Sequence, residues 1–460
     1  MHTMTPFGWM HIVRLGLVQA CLGAVVVVTT STLNRIMVVE LALPALLPGL
    51  LVGWHYGVQM VRPRLGFGAD EGRRSTPWML GGVLVLALGG ILASMATVWM
   101  ASELWAGMAL AFVAFCLIGL GVSACGTSLL ALMAKRVPDH MRAPAATLVW
   151  MMMIVGFAVT AVTVGKLIDP YTPWVLIQVT TGLACTVVLV AALSLWGLEG
   201  PVALPTSSSS PNSSSAVQAQ PSGQRFKQVL KEVWSEPQAR TFTIFVFLSM
   251  LAYSSQDLIL EPFAGSVFGM SPGATTQLSG LHHSGVLAGM IWVAIAGSAW
   301  AKGRLGSVPS WMVWGCLISA VAMSGLSLGG LQGQSWPLEA NVFVLGVANG
   351  AFSIAAIATM MRLAGKGKGG REGTRMGLWG ASQAIAFGLG GVLGTAASDL
   401  ARWLIASPSL AYATVFGLEA LMFALSAAVA VLVFRLDGPA STGPSTAQDS
   451  LYNTYQGAQQ

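Results

Sequence analysis

Six of the ionisable side chains that lie in or at the end of long apolar stretches of this sequence could do chemistry, because the burial of a charge there is costly. They are Glu40, His55, Asp257, Glu261, His282 and His283. An ionisable residue within an apolar membrane segment usually faces the protein interior and marks a ligand site or a proton pathway. We therefore predict that these six residues, with Gln256 beside Asp257, line an internal binding cavity.

The carboxylates and the imidazoles predict different chemistry. Asp257 and Glu261 are four residues apart, so a helix places both on one face, where they can carry protons or contact a polar ligand. His282 and His283 are adjacent, and adjacent residues of a helix point about 100° apart. We therefore expect that the two imidazoles do not easily bind one metal ion together, and we predict no metal site made by the protein alone. A hydrogen bond to a neighbouring helix is the alternative for either histidine.

Glu40 follows a polar motif, Asn34-Arg35, at the end of an apolar run. Two interpretations stay open for it. Arg35 and Glu40 can form a local ion pair at the membrane edge, or Glu40 can belong to the cavity. Because a charge one turn inside a membrane helix is costly without a partner, the second interpretation requires a ligand or a proton.

The composition shows which elements must hold these residues. The chain has 460 residues, of which 9% are charged and 55% are apolar, and its mean hydropathy is +0.71. A soluble domain has about 25% charged residues, so this chain cannot cover a water-facing surface of its size. The composition excludes a single soluble enzyme domain and a largely disordered chain. It predicts an all-α polytopic membrane protein.

Twelve apolar runs are long enough for a transmembrane helix, which needs about 20 residues. Their predicted limits are 15–33, 37–60, 78–100, 105–133, 145–167, 174–197, 240–260, 276–300, 311–331, 338–361, 377–398 and 409–434. Twenty of the 23 Lys and Arg residues then fall on one side, which is the pattern of cytoplasmic loops. We predict that both termini are cytoplasmic and that the net charge of +6 reflects topology, with no nucleic-acid partner.

A polar segment divides the twelve helices into two groups of six. Residues 201–224 read PVALPTSSSSPNSSSAVQAQPSGQ, which is typical of a flexible linker. We predict an N-terminal half at 1–200, a cytoplasmic linker at 201–238 with an amphipathic helix at 225–236, a C-terminal half at 239–436 and a polar cytoplasmic tail at 437–460. This organisation resembles the major facilitator superfamily.

The loop between the second and third helices adds to this resemblance. It reads GFGADEGRR from Gly66 to Arg74 and is similar to the superfamily signature G-x-x-x-D-x-x-G-R-[KR], although one residue is missing after Asp70. The resemblance implies that Asp70, Arg73 and Arg74 form a cytoplasmic gate that latches neighbouring helix ends. The alternative is a basic turn that only sets the topology.

Longer blocks in both halves resemble the PucC-type branch of the superfamily, which occurs in phototrophic bacteria. The blocks are RLGLVQ (14–19), TLNRIMVVEL (32–41), RPRLGFGAD (62–70), RSTPW (74–78), QDLILEPFAG (256–265) and VFGM (267–270). The resemblance implies an assembly factor for light-harvesting complexes in the intracytoplasmic photosynthetic membrane, which handles or delivers transiently bound bacteriochlorophyll. The implied partners are antenna polypeptides and pigment-synthesis enzymes. His282 or His283 would then be an axial ligand of the pigment's magnesium.

Two other classes of function compete with an assembly factor. A proton-coupled transporter of a small or tetrapyrrole-like molecule would use Asp257, Glu261 or Glu40 as proton carriers. A prenyl-transfer enzyme would need clustered aspartates to hold magnesium and diphosphate. No two aspartates of this chain lie within one helical turn, and the chain has no P-loop or Rossmann glycine motif, so we predict that it is not an enzyme.

Overall fold

The protein is a helical bundle in this computed structural model, which describes residues 7–61, 74–199, 231–297, 306–366 and 372–437. Twelve main helices occupy these ranges. They are α1 (Trp9–Glu40), α2 (Leu46–Val58), α3 (Thr76–Trp99), α4 (Leu104–Arg136), α5 (Asp139–Ile168), α6 (Pro173–Leu195), α7 (Pro237–Phe268), α8 (Pro272–Ala296), α9 (Val308–Gln332), α10 (Leu338–Lys366), α11 (Glu372–Leu404) and α12 (Pro408–Asp437). Within the described ranges, eleven are long and apolar enough to cross a membrane, and α2 has only 13 residues.

The structure corrects the boundary between the first two helices. The predicted spans, 15–33 and 37–60, placed Glu40 one turn inside the second span. Instead, α1 continues to Glu40, and α2 begins only at Leu46. Glu40 therefore ends the first helix at the edge of the bundle.

The long first helix follows from tertiary contacts of its polar residues. Asn34 and Arg35 stay helical because their side chains donate hydrogen bonds to backbone carbonyls elsewhere in the bundle. Two π-helical stretches, Val28–Leu33 and Ile36–Glu40, widen this part of α1. The chain then turns at Ala42, which has a φ of 51°. Without tertiary information, a polar Asn-Arg pair predicts a loop.

The seventh helix also continues past its predicted end. The polar string from Ser254 to Asp257 indicated a helix end near 260, but α7 runs about two turns farther. Ser254 and Ser255 donate to backbone carbonyls of α11 at 2.8 and 3.0 Å, so these hydroxyls are satisfied without water. Asp257 and Glu261 consequently lie inside the bundle and not at its outer end.

The helices form two groups, α1–α6 and α7–α12, and each group surrounds its own hydrophobic core. Leu258 of α7 packs into the first core and Ile154 of α5 into the second, so the groups also share contacts. The predicted linker at 201–224 and most of the predicted tail lie outside the described residues. Of the predicted amphipathic helix, residues 231–235 are helical and 225–230 lie outside the described ranges.

The two ends of the bundle differ in how the halves are joined. We call the end that carries most Lys and Arg residues the basic end, and the end where α1 stops and α2 starts the distal end. At the basic end, Arg375 binds Glu236 within the C-terminal half, with Nη2 2.8 Å from Oε1. Arg136 donates to the Glu199 carbonyl within the N-terminal half at 3.1 Å. The contacts between halves described below lie at the distal end and the middle of the bundle.

Candidate functional site

The central feature of the site is a cluster of three residues, Asp257 on α7 and His282 and His283 on α8. One ligand atom from each residue lies within 4.8 Å of the other two. The histidines are buried, whereas Asp257 is partly exposed. The imidazole centroids are 5.3 Å apart at an interplanar angle of 75°. Side-chain rotation brings the imidazoles together in spite of the angle between their Cα–Cβ bonds. The expectation that they do not easily bind one metal ion together stays a prediction.

Hydrogen bonds hold both imidazoles in place. His283 Nδ1 lies 2.8 Å from the Ser279 carbonyl, one turn earlier, and donates to it, which leaves the lone pair on Nε2. His282 Nε2 lies 3.4 Å from the amide nitrogens of both Gln256 and Asn349. The Asn349 carbonyl oxygen accepts from the Ser319 hydroxyl at 2.8 Å. A polar network thus links α7, α8, α9 and α10 in the apolar core.

Close packing of α8 against α10 brings His282 to Asn349. A Cβ atom at Gly289 would lie 2.0 Å from the Val347 carbonyl oxygen, and one at Gly346 would lie 2.2 Å from the His282 carbonyl oxygen. Glycine is therefore required at both positions, because the two backbones are in direct contact.

Three partly exposed aromatic residues from both halves extend away from the cluster. Tyr56 of α2 contacts Phe387 of α11 at 5.7 Å between ring centroids, and Phe387 contacts Tyr253 of α7 at 5.9 Å. The Tyr253 ring lies 6.3 Å from His282. We call Tyr56, Tyr253 and Phe387 the aromatic surface. It joins the halves at mid-bundle and ends at the cluster.

The structure separates the other predicted cavity residues from the cluster. His55 is buried, with its ring against Tyr56 and its Nε2 2.8 Å from the Gln59 amide nitrogen. Glu261 is buried one turn beyond Asp257, close to the hydroxyl groups of Ser31 in the opposite half and of Thr275 on α8.

The Arg35–Glu40 ion pair is present at the distal end. Arg35 is buried, and its Nη2 donates to the Met270 carbonyl of the opposite half at 2.8 Å. Burial raises the pKa of Tyr171, in the loop after α5, and the nearby Glu40 carboxylate adds to this shift. Arg35 therefore contributes to the contact between halves, and the ion pair lies apart from the cluster.

Hydroxyl pairs continue this contact along α1 and α8. The Ser31 and Ser279 hydroxyl oxygens are 2.9 Å apart, and those of Thr32 and Thr276 are 3.1 Å apart. Asn34 donates to a backbone carbonyl of α7 at 2.6 Å. We call this set of bonds, together with the Arg35 bond to Met270, the distal seal.

Two aspartates complete the distal seal, and sequence reasoning missed both. Asp169, at the end of α5, accepts hydrogen bonds from the Ser271 hydroxyl and the Gly273 N–H at the start of α8, at 2.6 and 3.2 Å. Asp399 of α11 accepts from two backbone N–H groups at the start of α2, at 2.9 and 2.7 Å. Each carboxylate complements the positive end of a helix dipole in the opposite half. The sequence signal that could have identified them is their matching position, since each lies near the end of the fifth helix of its half.

The predicted cytoplasmic gate lies largely outside the described residues. Asp70 and Arg73 are not described, and Arg74 is exposed immediately before α3. In the same region, the Glu199 carboxylate accepts from the Ser75 and Thr76 N–H groups at 2.9 and 2.7 Å. The gate therefore stays a prediction.

Comparison with known proteins shows relatives along nearly the whole chain. Residues 32–437 match the family model described as PUCC protein. The "Bacteriochlorophyll synthase 44.5 kDa chain" of Rhodobacter capsulatus is 48% identical over 438 residues, which cover 94% of this chain and 97% of the relative. "Protein PucC" of the same species is 29% identical, with 93% of each chain covered.

Solved structures with the same fold are transporters. A bacterial homologue of the human lysosomal transporter Spinster, in an inward-facing and unoccupied conformation, has a TM-score of 0.64 at 16% identity, covering 93% of this chain and 96% of the other. A proton-dependent oligopeptide transporter has a TM-score of 0.63 at 15% identity, covering 93% and 99%. These likenesses confirm the predicted fold class, twelve helices in two halves of the major facilitator type.

Proposed function

Because the chain belongs to the PucC family, we propose that it is a membrane assembly factor for photosynthetic light-harvesting complexes and that it handles bacteriochlorophyll. The observation that carries the proposal is the 48% identity to a relative named for bacteriochlorophyll synthesis, over 97% of that relative. The fold adds that the chain is a multi-pass membrane protein of transporter architecture.

The proposed role is not catalytic, in spite of the relative's name. Prenyl transfer to a pigment requires carboxylates grouped around magnesium and diphosphate. Among the described residues, Asp169 and Asp399 bind helix starts at the distal seal, and Asp257 faces two histidines. This arrangement supports binding and conformational change.

The residues of the site fit a flat, apolar pigment with a central metal. Partly exposed rings of the aromatic surface offer faces for stacking, at mid-bundle and between the halves. His283 holds its Nδ1 proton on the Ser279 carbonyl, so Nε2 is the nitrogen that can ligate the pigment's magnesium. Bound bacteriochlorophyll would be detectable by its light absorption.

The proposal also includes partners and a location. Antenna polypeptides and pigment-synthesis enzymes are the proposed partners, and the intracytoplasmic photosynthetic membrane is the proposed site. The Lys and Arg distribution supports the proposal that the basic end and both termini lie in the cytoplasm.

A proton-coupled transporter is the second candidate. The observation that favours it is a partly exposed carboxylate, Asp257, one turn from the buried Glu261 at the contact between halves, in a fold shared with transporters. In that case Asp257→Asn abolishes proton-driven transport, whereas Glu339→Gln, at an exposed position at the start of α10, leaves it unchanged.

Deletion of the gene in its native host tests the proposed function. We expect the near-infrared absorbance of the antenna complexes to fall, and to return when the wild-type gene is supplied, because the complexes would lack their assembly factor. The deletion is made in a strain that lacks related PucC-type genes, so that a relative cannot substitute. Unchanged antenna absorbance in that strain would contradict the assembly role.

A further inference from the structure

We propose that Asp257, His282 and His283 form a binding site for one divalent transition-metal ion, held by the side chains of this chain alone. Two imidazole nitrogens and one carboxylate oxygen are a donor set that proteins use for Zn²⁺ and Fe²⁺. The three ligand atoms lie within 4.8 Å of one another. The proposal does not rest on the proposed function. Both use the Nε2 atom of His283, so a metal ion and a pigment magnesium would bind there in turn and not together.

The separations fit an ion after small side-chain rotations. Bonds of about 2.0–2.1 Å in a tetrahedral zinc site place pairs of ligand atoms roughly 3.3 Å apart. The 4.8 Å limit therefore requires each atom to move by about 1 Å or less toward a common centre. The partly exposed Asp257 side chain can make its movement by rotation alone.

The surroundings of the histidines resemble the outer shell of a metal site. A histidine that binds a metal usually donates its other N–H to a carbonyl or carboxylate. His283 does so to Ser279 at 2.8 Å. His282 Nε2 faces the side-chain amides of Gln256 and Asn349 at 3.4 Å, and Asn349 is fixed by Ser319. Rotation of both amides would let them accept from Nε2–H, with Asn349 then donating to the Ser319 hydroxyl, so that Nδ1 can bind the ion.

The local charge also favours a cation. Asp257 supplies one negative charge to two imidazoles that bind metals in their neutral form. Glu261, one turn away on the same face of α7, is near enough to interact electrostatically with Asp257. An ion between these groups would compensate a carboxylate in the middle of the bundle, which is otherwise costly in a membrane.

Metal binding to the purified full-length protein tests this proposal. The protein is produced with an affinity tag that contains no histidine, in a host that makes no pigment, and is stripped with EDTA in mild detergent. We expect equilibrium dialysis to give about one Zn²⁺ per chain, and Co²⁺ to give the visible absorption of a four- or five-coordinate site. His283→Gln and Asp257→Asn are each expected to weaken Zn²⁺ binding by at least about 100-fold, and Asn349→Leu by about 10-fold.

His55→Gln is the matched control, because His55 is a buried histidine outside the cluster. It should bind Zn²⁺ as the wild type does. Size-exclusion profiles identify any variant that fails to fold. If a histidine or asparagine variant fails to fold, the Zn²⁺ affinity of the isosteric Asp257→Asn variant decides whether the site exists. Absence of stoichiometric Zn²⁺ binding by the wild type, or wild-type affinity in Asp257→Asn, would overturn the proposal. Because no pigment is present, either result leaves the proposed function to its own test.

Discussion

A disulfide bond between cysteines placed at Ser31 and Ser279 is expected to abolish the protein's ability to support antenna formation. The two hydroxyl oxygens are 2.9 Å apart across the distal seal, one in each half. Proteins of this architecture work by rocking one half against the other around a central site. A covalent bond between α1 and α8 would hold the distal end closed, so the aromatic surface could open only toward the basic end.

The measurement is complementation of the deletion strain by Ser31→Cys/Ser279→Cys, with cross-linking followed by gel mobility. The single-cysteine variants are the controls, and each should restore antenna absorbance. The same double variant, kept reduced, should restore it as well. Wild-type absorbance in cells whose protein is fully cross-linked would show that the halves need not separate at the distal end.

Replacement of Asp169 and Asp399 by asparagine is expected to open the distal seal. Each carboxylate accepts two hydrogen bonds from the start of a helix in the opposite half, and asparagine keeps the shape but loses the charge. Hydrogen bonds to a charged group contribute about 1.5 kcal/mol or more. The two sites share no partners, so their effects should add to about 3 kcal/mol, or roughly 100-fold in the equilibrium between closed and open forms.

The opening is measured with a cysteine placed at the buried position Thr276. The quantity compared is the rate at which a membrane-impermeant maleimide labels this cysteine. We expect about a 10-fold faster reaction in either single variant and about a 100-fold faster reaction in the double variant. Glu339→Gln removes an exposed carboxylate that takes no part in the distal seal and serves as the control. Equal labelling rates in all variants would show that the aspartates do not hold the halves together.

The number of helices and their approximate positions could be predicted from the sequence because they depend on properties that each segment carries by itself. Apolar length determines whether a helix can span the membrane. The errors at Glu40 and at the end of α7 arose where a helix end depends on contacts with other helices and not on the segment itself. Asn34 and Ser254 indicate a helix end only if their hydrogen bonds go to water, and in the fold they go to other helices.

The candidate site was predicted in part for the same reason. The cost of burying a charge identifies Asp257, His282 and His283 without knowledge of the fold, and the structure brings these three together. The cost of burial cannot show which buried charges are neighbours. His55 carries the same cost as the cluster histidines, yet it lies in the other half, against Tyr56 and Gln59.

The distal seal could not be predicted from single residues. Ser31, Thr32 and their partners on α8 are small polar residues of a kind that occurs throughout membrane helices, often bonded within their own helix. Their role depends on the register of α1 against α8, which no local pattern determines. Asp169 and Asp399 become informative only when the fifth helices of the two halves are compared.

The absorption spectrum of the protein purified in mild detergent from its pigment-producing host tests the central claim most directly. We expect a red-shifted bacteriochlorophyll band that co-elutes with the protein and weakens in His283→Leu or His282→Leu, with His55→Leu as the control. The aromatic surface and an imidazole nitrogen provide the physical reason for the shift. A colourless, folded preparation from pigmented cells would contradict pigment handling and would favour transport.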